Sequence, residues 1–402
     1  MRVLHITPGL PDCSGPAEVA LGLCTALAAK GLDVTIFTTN FGREKEVLLE
    51  CPYDYQGFHV HYFPLSKPRR YFYSPILAQT LKRCITQFDI VHIHGIWLYP
   101  TAIAAYYCRK HGIPYLIRPR GNLEPYALHQ KVIKKKIYGW LIERRNLNNA
   151  AAIHFLNEKE AEGGTQFGLQ APIVIIPNGT DPLDERKLQS LRGRFRLRYP
   201  ELSGKQIILF LGRINPIKGL DRLCEAFVKV VETVPQSRLV LVGPDNGGFS
   251  NQLKHLLKKE GLINYTIFAG TLVGEDKLAA LVDSDVFCLP SYQEGHSIAL
   301  MEAMVCGLPA IVTPEVKFHD LEKYSAGIRT SGSGEDIATG IIALLQNREM
   351  RKQMGLQART LILSKYTWDK VSEEIVKTYE HILQSKTYGR WGFRGTRSTA
   401  NP

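Results

Sequence analysis

The amino-acid sequence predicts an α/β protein with two domains, each built on a parallel β-sheet covered by helices. Its 402 residues exceed the length at which a single hydrophobic core stops growing, about 250 to 300 residues. Apolar segments of strand length alternate with segments of helical period, which is the pattern of successive β-α-β units. A polar, charged stretch from residue 180 to residue 205 separates two such series. We therefore expect one domain on either side of this stretch.

Six apolar segments of the first half have the length and composition of strands. They are MRVLHIT, DVTIFTT, DIVHIHG, PYLIRPR, AAIHFLN and PIVIIPN. Segments of helical period fall at residues 16–30, 101–110 and 132–146. The first of these helices is the best marked, because Pro16 opens it, Glu18 lies in its first turn and Gly31 follows its end.

The second half continues the alternation with five strand-like segments, QIILFLG, SRLVLVG, TIFAG, DVFCLP and PAIVT. Helical segments are predicted at residues 219–232, 250–260, 275–282 and 297–305, and the part from 334 to 384 is helical. We expect a first domain at 1–180, a linker with a lead-in helix at 181–204 and a second domain at 205–368. A C-terminal helix at 369–386 and a mobile basic tail at 387–402 complete the chain.

The composition is that of an ordinary globular protein, with 45% hydrophobic and 22% charged residues, which excludes the disordered and fibrous classes. The net charge of +12 indicates an anionic partner, whether nucleic acid, anionic lipid or a phosphorylated small molecule. The eight cysteines show no CxxC spacing, so we expect no metal site and a reducing compartment. Because neither a signal-peptide pattern nor a membrane-spanning apolar run occurs, we expect a cytoplasmic protein.

Charged side chains follow two strands of the second half. Arg213 and Lys218 come after QIILFLG, and Glu294 comes after DVFCLP. Loops at the carboxyl ends of parallel strands share one edge of the sheet, where ligands bind. Two cations beside the amino end of the helix that opens near Ser297 suit a diphosphate without a metal ion. The alternative is that Arg213 and Lys218 are ordinary solvated loop cations.

Two glutamates in this region stand eight positions apart. Glu294 is predicted in the loop and Glu302 inside the helix. The two residues would be about 12 Å apart along the helix axis if the segment between them were fully helical. A glycosidase pair is about 5 to 10 Å apart, so we expect two separate hydrogen-bond acceptors along one extended ligand. The alternative makes Glu302 an exposed helical residue, although its apolar neighbours favour a buried helix. Neither GxGxxG after the first strand nor GxxxxGK[ST] occurs, which disfavours dinucleotide dehydrogenases and P-loop NTPases.

The motifs occur together in an order that resembles the retaining glycosyltransferase family 4, of GT-B fold. The matching segments are the E-x7-E motif from Glu294 to Glu302, GRINPIKG, VIIPNGTD, SGPAE and HIHG. The resemblance covers about residues 1 to 385. It implies two Rossmann-like domains that face each other across a cleft, the first for the acceptor and the second for the nucleotide sugar, with the C-terminal helix crossing back to the first.

The resemblance also implies roles for individual residues. The first glutamate of the motif, Glu294, would contact the donor sugar, and Glu302 would bind the ribose. Arg213 and Lys218 would hold the diphosphate. The backbone at the helix start would contact diphosphate and sugar, and Gly15 would let the first loop approach the phosphates; the residues at the helix start are Gly295, His296, Ser297 and Ile298. Transfer would proceed with retention of configuration, with no metal ion and no cofactor beyond the nucleotide sugar.

The chain departs from the family pattern at three positions. His296 stands where Phe is common, in the pocket for the donor sugar. The expected donor is a UDP- or GDP-linked hexose. Arg120 replaces a His found near the reacting centre of many members; it either holds a phosphate or an anionic acceptor, or braces its loop against Glu124. Pro16 replaces a frequent glycine and removes one backbone N–H.

Two histidines of the first half lie at the end of one predicted strand. His94 is expected to face the cleft and to contact the acceptor or the sugar; the alternative is a core histidine satisfied by a neighbour. His92 is predicted to point into packing instead.

A basic amphipathic segment, HQKVIKKKIYGWLIERR, lies in the predicted acceptor domain. Such a helix can lie on an anionic membrane, so we expect a peripheral enzyme that glycosylates a sugar or lipid-linked acceptor in surface polysaccharide or glycolipid synthesis. The alternative is a core helix with a solvated basic face. A GT-B sugar-nucleotide epimerase is the enzymatic rival. A nucleic-acid-binding protein is disfavoured, because no binding motif with interleaved aromatic residues occurs.

Overall fold

The computed structural model describes residues 1–11, 14–43, 47, 49, 51–123, 138–245 and 247–387. The chain forms two compact units. Unit 1 comprises Met1–Gly179 with Trp368–Pro402, and unit 2 comprises Thr180–Thr367. Each unit is an α/β layer structure on a largely parallel sheet, which confirms the predicted fold class.

In the described residues, the sheet of unit 1 has eight strands in the order β3-β4-β2-β1-β5-β6-β7-β8. All neighbouring strands are parallel except β3 and β4. The strands are β1 (Arg2–Gly9), β2 (Asp33–Thr39), β3 (Pro52–Tyr55), β4 (Phe58–Phe63), β5 (Ile90–His94), β6 (Tyr115–Arg118), β7 (Ala152–Phe155) and β8 (Ile173–Ile175).

The helices of unit 1 follow the β-α-β alternation. They are α1 (Gly15–Ala29), α2 (Pro75–Cys84), α3 (Tyr99–His111), α4 (Arg144–Asn148), α5 (Glu158–Gln166) and α15 (Trp368–Thr387). A π-helical turn at Gly139–Glu143 leads into α4. Of the predicted helix at 132–146, residues 132–137 lie outside the described residues, and so does the predicted tail from residue 388 onward.

Helix α1 begins and ends as its sequence predicts. Ser14 caps it by accepting a hydrogen bond from the Ala17 amide, and Gly31 beyond its end adopts the left-handed conformation, with φ of 82°, which glycine tolerates without strain. Helix α15 packs on α1, and Lys30 forms an ion pair with Asp369 at 2.7 Å. The C-terminal helix therefore joins the first unit, as predicted.

In unit 2, the described strands form a fully parallel sheet of six in the order β11-β10-β9-β12-β13-β14. The strands are β9 (Gln206–Leu211), β10 (Ser237–Val242), β11 (Thr266–Gly270), β12 (Val286–Leu289), β13 (Ala310–Val312) and β14 (Gly327–Arg329). The residues of the central strands are almost fully buried. This agrees with the continuous apolar runs in the sequence, because helices cover both faces of a parallel sheet.

Helices connect these strands and extend beyond the last one. They are α6 (Glu185–Leu191), α7 (Arg194–Arg198), α8 (Leu220–Thr233), α9 (Phe249–Lys259), α10 (Gly274–Val282), α11 (Ile298–Val305), α12 (Asp320–Lys323), α13 (Gly334–Gln346) and α14 (Arg348–Lys365). The strand order of unit 2 reverses between β9 and β12, which pair directly. At such a switch point the strand order changes direction, and α/β proteins bind ligands in the crevice at the carboxyl edge there.

A close approach of two loops at this switch point requires glycine at position 219. Gly219 has a φ of 64°, and a Cβ there would lie 2.0 Å from the carbonyl oxygen of Pro290. We expect Gly219→Ala to lower the free energy of unfolding by about 3 kcal/mol, because backbone strain adds to a clash with rigid backbone. Urea or thermal unfolding measures the loss.

A matched control is available at Gly204, where φ is 70° and no atom lies within 4 Å of the added Cβ. Gly204→Ala should cost only the strain of the left-handed conformation, about 1 kcal/mol. Equal losses for the two variants would contradict the close approach of the loops.

Candidate active site

Two loops at the switch point of unit 2 are held together by backbone contacts. The loop after β9 contains Arg213 and Lys218, and the loop after β12 leads into α11. The Tyr292 amide of the second loop donates to the Ile217 carbonyl of the first at 2.9 Å. The second loop is also tied to the end of β13, where the Thr313 hydroxyl donates to the Ser291 carbonyl at 2.7 Å. The loops are therefore fixed relative to each other, which holds the side chains they carry in place.

Glu294 and Lys218, which come from these two loops, form an ion pair. Each side chain is only 14% exposed, and the Ser291 hydroxyl also donates to the Glu294 carboxylate at 3.3 Å. Hydrogen bonds to a half-buried carboxylate are strong and fix its direction. The structure thus brings together the cation and the carboxylate that the sequence places at one edge of the sheet.

Glu302 lies in the second turn of α11 and has a different partner. Its carboxylate pairs with the Lys277 ammonium of α10 at 2.7 Å, and the side chains are 16% and 15% exposed. The alternative in which Glu302 is an exposed helical residue is therefore wrong. The two glutamates each pair with a different lysine; their roles as acceptors along one ligand stay a prediction.

Lys277 is a residue that sequence reasoning missed. It stands 25 positions before Glu302, on a helix that the sequence shows only as an amphipathic segment. No local spacing links the two residues, because the pair depends on how α10 packs beside α11 in the folded unit.

The amino end of α11 lies beside Glu294. Ser297 caps the helix, since its hydroxyl accepts a hydrogen bond from the Leu300 amide at 3.3 Å. A Cβ on Gly295 would meet no atom within 4 Å, so the chain itself leaves space there. Ile298 is the first residue of the helix. This first turn offers backbone N–H groups and the positive end of the helix dipole.

Arg213 and His296 have contrasting surroundings. Arg213 is exposed, and no described residue forms a hydrogen bond or an ion pair with its side chain. His296 is 8% exposed and lies in an aromatic cluster, with ring-centroid distances of 5.3 Å to Phe318 and 5.6 Å to Tyr366. The cluster explains how a histidine occupies a position where Phe is common, because its ring packs on other rings.

In unit 1, Gly15 is the first residue of α1. It is exposed, and a Cβ there would meet no atom within 4 Å. Packing within the chain therefore does not require a glycine. A ligand that approaches this loop closely is the reason that the resemblance supplies, and this role of Gly15 stays a prediction.

His94 ends β5 and is fully buried. Its Nε2 atom forms a hydrogen bond with Nδ1 of His5 at 2.9 Å, which is the arrangement expected of a core histidine. His92 is fully buried, as predicted, and forms a hydrogen bond with the Tyr379 hydroxyl at 2.7 Å. It does not lie on the opposite side of the strand from His94, because their rings stack with centroids 4.6 Å apart. Residues two positions apart in a strand share one face of the sheet.

Arg120 lies just after β6 and adopts a left-handed conformation, with φ of 58°, which is uncommon for a residue other than glycine. Burial and the nearby Arg118 guanidinium lower the pKa of Arg120. Glu124, which one of the two alternatives pairs with Arg120, lies outside the described residues. Among described side chains, none accepts a hydrogen bond from its buried Nη2 atom.

The predicted membrane-binding segment is described only in part, because Lys134, Lys135 and Lys136 lie outside the described residues. No helix in the described part of the chain is both long enough and apolar enough to cross a bilayer.

Comparison with known protein families identifies the family of this chain. The model of the family described as Glycosyl transferases group 1 matches residues 194–361. The model of the family described as Glycosyl transferase 4-like domain matches residues 14–179. The chain belongs to the group 1 glycosyltransferases. Glu294 and Glu302 of this glycosyltransferase both lie within the segment that matches the group 1 family, residues 194–361. Membership of this family does not favour the alternative of a sugar-nucleotide epimerase.

Relatives and solved structures agree with this assignment. A phosphatidyl-myo-inositol mannosyltransferase from Mycobacterium leprae is 25% identical over 336 residues, which cover 78% of this chain and 79% of the relative. Sucrose-phosphate synthase from Thermosynechococcus elongatus superposes with a TM-score of 0.75 at 17% identity, over 96% of this chain and 100% of that chain. HepE from Anabaena, in complex with UDP and glucose, gives a TM-score of 0.74 at 15% identity, over 95% and 100%. The solved structures confirm the GT-B fold.

Proposed function

We propose that unit 2 binds a nucleoside diphosphate sugar, UDP- or GDP-linked, and that the enzyme transfers the hexosyl group with retention and without a metal ion. One observation carries the proposal: two glutamates at the carboxyl edge are each held by a lysine, on either side of the amino end of α11. Glu302 binds the ribose hydroxyls, and Glu294 contacts the donor sugar. The helix start lies between these two positions along the chain and faces the diphosphate.

Charge at this edge suits a departing diphosphate. The exposed Arg213 supplies a positive charge, Lys218 supplies a second that it shares with Glu294, and the first turn of α11 supplies backbone donors. Such fixed groups stabilise negative charge as it develops on the leaving group. In this proposal they take the place of a divalent ion, and the acceptor hydroxyl attacks the face from which the nucleotide leaves.

The relatives support the choice of substrates. HepE was solved with UDP and glucose, which favours a uridine nucleotide over a guanosine nucleotide. The mycobacterial relative is a mannosyltransferase of phosphatidyl-myo-inositol, which favours a sugar or lipid-linked acceptor bound by unit 1. We extend this to a cytoplasmic enzyme, peripheral on the inner face of the membrane, in surface polysaccharide or glycolipid synthesis.

A thermal-shift panel tests the donor proposal. UDP, GDP and their glucose and mannose conjugates are added in EDTA to wild type, Arg213→Ala and Glu335→Ala. Glu335 is the matched control, because it forms an exposed lysine pair with Lys229 at 2.7 Å in the same unit. We expect one nucleotide series to stabilise wild type and Glu335→Ala, and to stabilise Arg213→Ala less. Stabilisation that requires Mg²⁺, or that Arg213→Ala leaves unchanged, would contradict the proposal.

A further inference from the structure

Five buried or half-buried basic side chains lie close together in unit 1, on β1, β5 and β6 and just after β6. We call them the basic cluster; its members are His5, His92, His94, Arg118 and Arg120. The rings of His5 and His94 stack with centroids 5.1 Å apart. His94 on β5 stands opposite Arg118 on the neighbouring strand β6. Both guanidinium charges act on all three imidazoles and on each other. The cluster is thus a single electrostatic unit.

Four polar atoms of the basic cluster are buried without a hydrogen-bond partner in the described part of the chain. They are Nε2 of His5, Nδ1 of His94, Nε of Arg118 and Nη2 of Arg120. The arginine atoms are obligatory donors. A buried donor without an acceptor costs free energy, and Arg120 adds a left-handed backbone conformation to that cost. Such outliers concentrate where a site is shaped for a ligand.

The charge of the basic cluster is not balanced by the described side chains around it. Glu160 is the buried carboxylate nearby, and its two oxygens accept hydrogen bonds from the amides of Gly121 and Leu156. Asn178, which accepts a hydrogen bond from Arg118, is neutral. Burial and the arginines lower the pKa of His5 to about 3, so the imidazoles are neutral at pH 7. Two guanidinium charges therefore face one carboxylate.

The same cluster has the spacing of a metal site, because one nitrogen from each of His5, His92 and His94 lies within 4.8 Å of the others. Two features favour an anion instead. Both ring nitrogens of His92 already have partners, the Tyr379 hydroxyl at 2.7 Å and the His154 ring at 3.3 Å. Two adjacent guanidinium groups also repel a cation and attract an anion.

We infer that the basic cluster binds a phosphate group, and that this group belongs to the acceptor. The assignment to the acceptor rests on the proposed function, in which unit 1 receives the acceptor; phosphate binding itself does not. Two arginine donors and an imidazole N–H suit the several oxygens of a phosphate. The substrate class is a phosphorylated acceptor, either a soluble sugar phosphate or a phospholipid headgroup.

Calorimetric titration of the full chain with inorganic phosphate tests the inference, at constant ionic strength and in the Arg213→Ala background to weaken binding at unit 2. We expect Arg120→Gln to weaken phosphate binding about tenfold or more, the effect of losing a charge-assisted hydrogen bond. Arg120→Lys should retain part of the affinity, which keeps the test valid if Arg120→Gln fails to fold. Arg83→Gln, at an exposed arginine of α2, should bind as the parent does.

Other outcomes separate the alternatives. Phosphate binding that appears only after Glu124→Gln would show that Glu124 neutralises Arg120, and would overturn the inference. Zinc binding that His94→Ala abolishes, without phosphate binding, would do the same in favour of a metal. Competition by glucose 6-phosphate or by phosphatidylinositol vesicles supports the inference and identifies the soluble or the lipid source. Titration of UDP into the chain with native Arg213 tests the donor proposal separately. Absence of UDP binding would contradict that proposal without affecting phosphate binding by the basic cluster.

Discussion

Glu294→Gln lowers kcat about a thousandfold while UDP binds within about threefold of the wild-type affinity. This result is expected because the proposed function places Glu294 at the donor sugar, where an interaction made in the transition state is worth about a hundredfold to a thousandfold in rate. The carboxylate is 14% exposed and is oriented by Lys218 and Ser291. The amide keeps the size and one acceptor oxygen but loses the charge. Release of nucleoside diphosphate from the donor measures turnover.

Glu294→Gln must remain folded for its turnover to be compared with that of the wild type. Lys218 loses its charged partner in Glu294→Gln, so the midpoint of thermal unfolding should fall, because removing one member of a largely buried ion pair leaves the other charge uncompensated. Glu335→Gln removes a carboxylate from an exposed lysine pair and should leave turnover unchanged. If Glu294→Gln lowered UDP affinity as strongly as turnover, Glu294 would act on the nucleotide and its assignment to the sugar would be wrong.

Glu302→Gln weakens UDP binding about 10- to 100-fold, which corresponds to about 1.5 to 3 kcal/mol for hydrogen bonds that a charged group makes. The physical reason is that a carboxylate accepts both hydroxyls of a ribose, whereas an amide offers one oxygen and an N–H that repels a donor. Lys277 holds the wild-type carboxylate at 2.7 Å. Calorimetric titration with UDP in EDTA measures the change.

Lys277→Met is the companion variant, because it removes the ammonium and keeps the length of the side chain. If Lys277 acts by orienting Glu302, UDP binding weakens but less than in Glu302→Gln. Equal affinity for uracil nucleotides in wild type and Glu302→Gln, with normal folding of both, would show that the ribose binds elsewhere.

Much of this fold could be predicted from the sequence, because buried parallel strands are continuous apolar runs. All eleven predicted strand segments correspond to strands. The strands β3, β4 and β14 were missed for identifiable reasons. PYDY is polar and mostly exposed, FHVHYF contains two histidines, and β14 has three residues. Such strands depend on pairing with a neighbour rather than on their own pattern.

The candidate site could be predicted where loop position alone decides it. Lys218 and Glu294 follow two strands that pair in the sheet, so topology brings them together. Lys277 and His5 could not be predicted in the same way. Their partners Glu302 and His94 stand 25 and 89 positions away, and only packing of the folded elements brings them close.

His92 is buried as predicted, but the expectation that it lies on the opposite face from His94 was wrong. A strand alternates faces at every residue, so His92 and His94 share a face. The neighbouring strand β1 adds His5 opposite His92. The pattern of β5 combined with that of its neighbour β1 therefore predicts that the three histidines lie together.

A crystal structure of the protein with UDP, grown in EDTA, tests the central claim most directly. We predict that the ribose hydroxyls lie within hydrogen-bond distance of the Glu302 carboxylate. The diphosphate should contact Arg213, Lys218 and the amides at the start of α11. A nucleotide bound away from Glu302, or a diphosphate held through a divalent ion at this edge, would contradict the account.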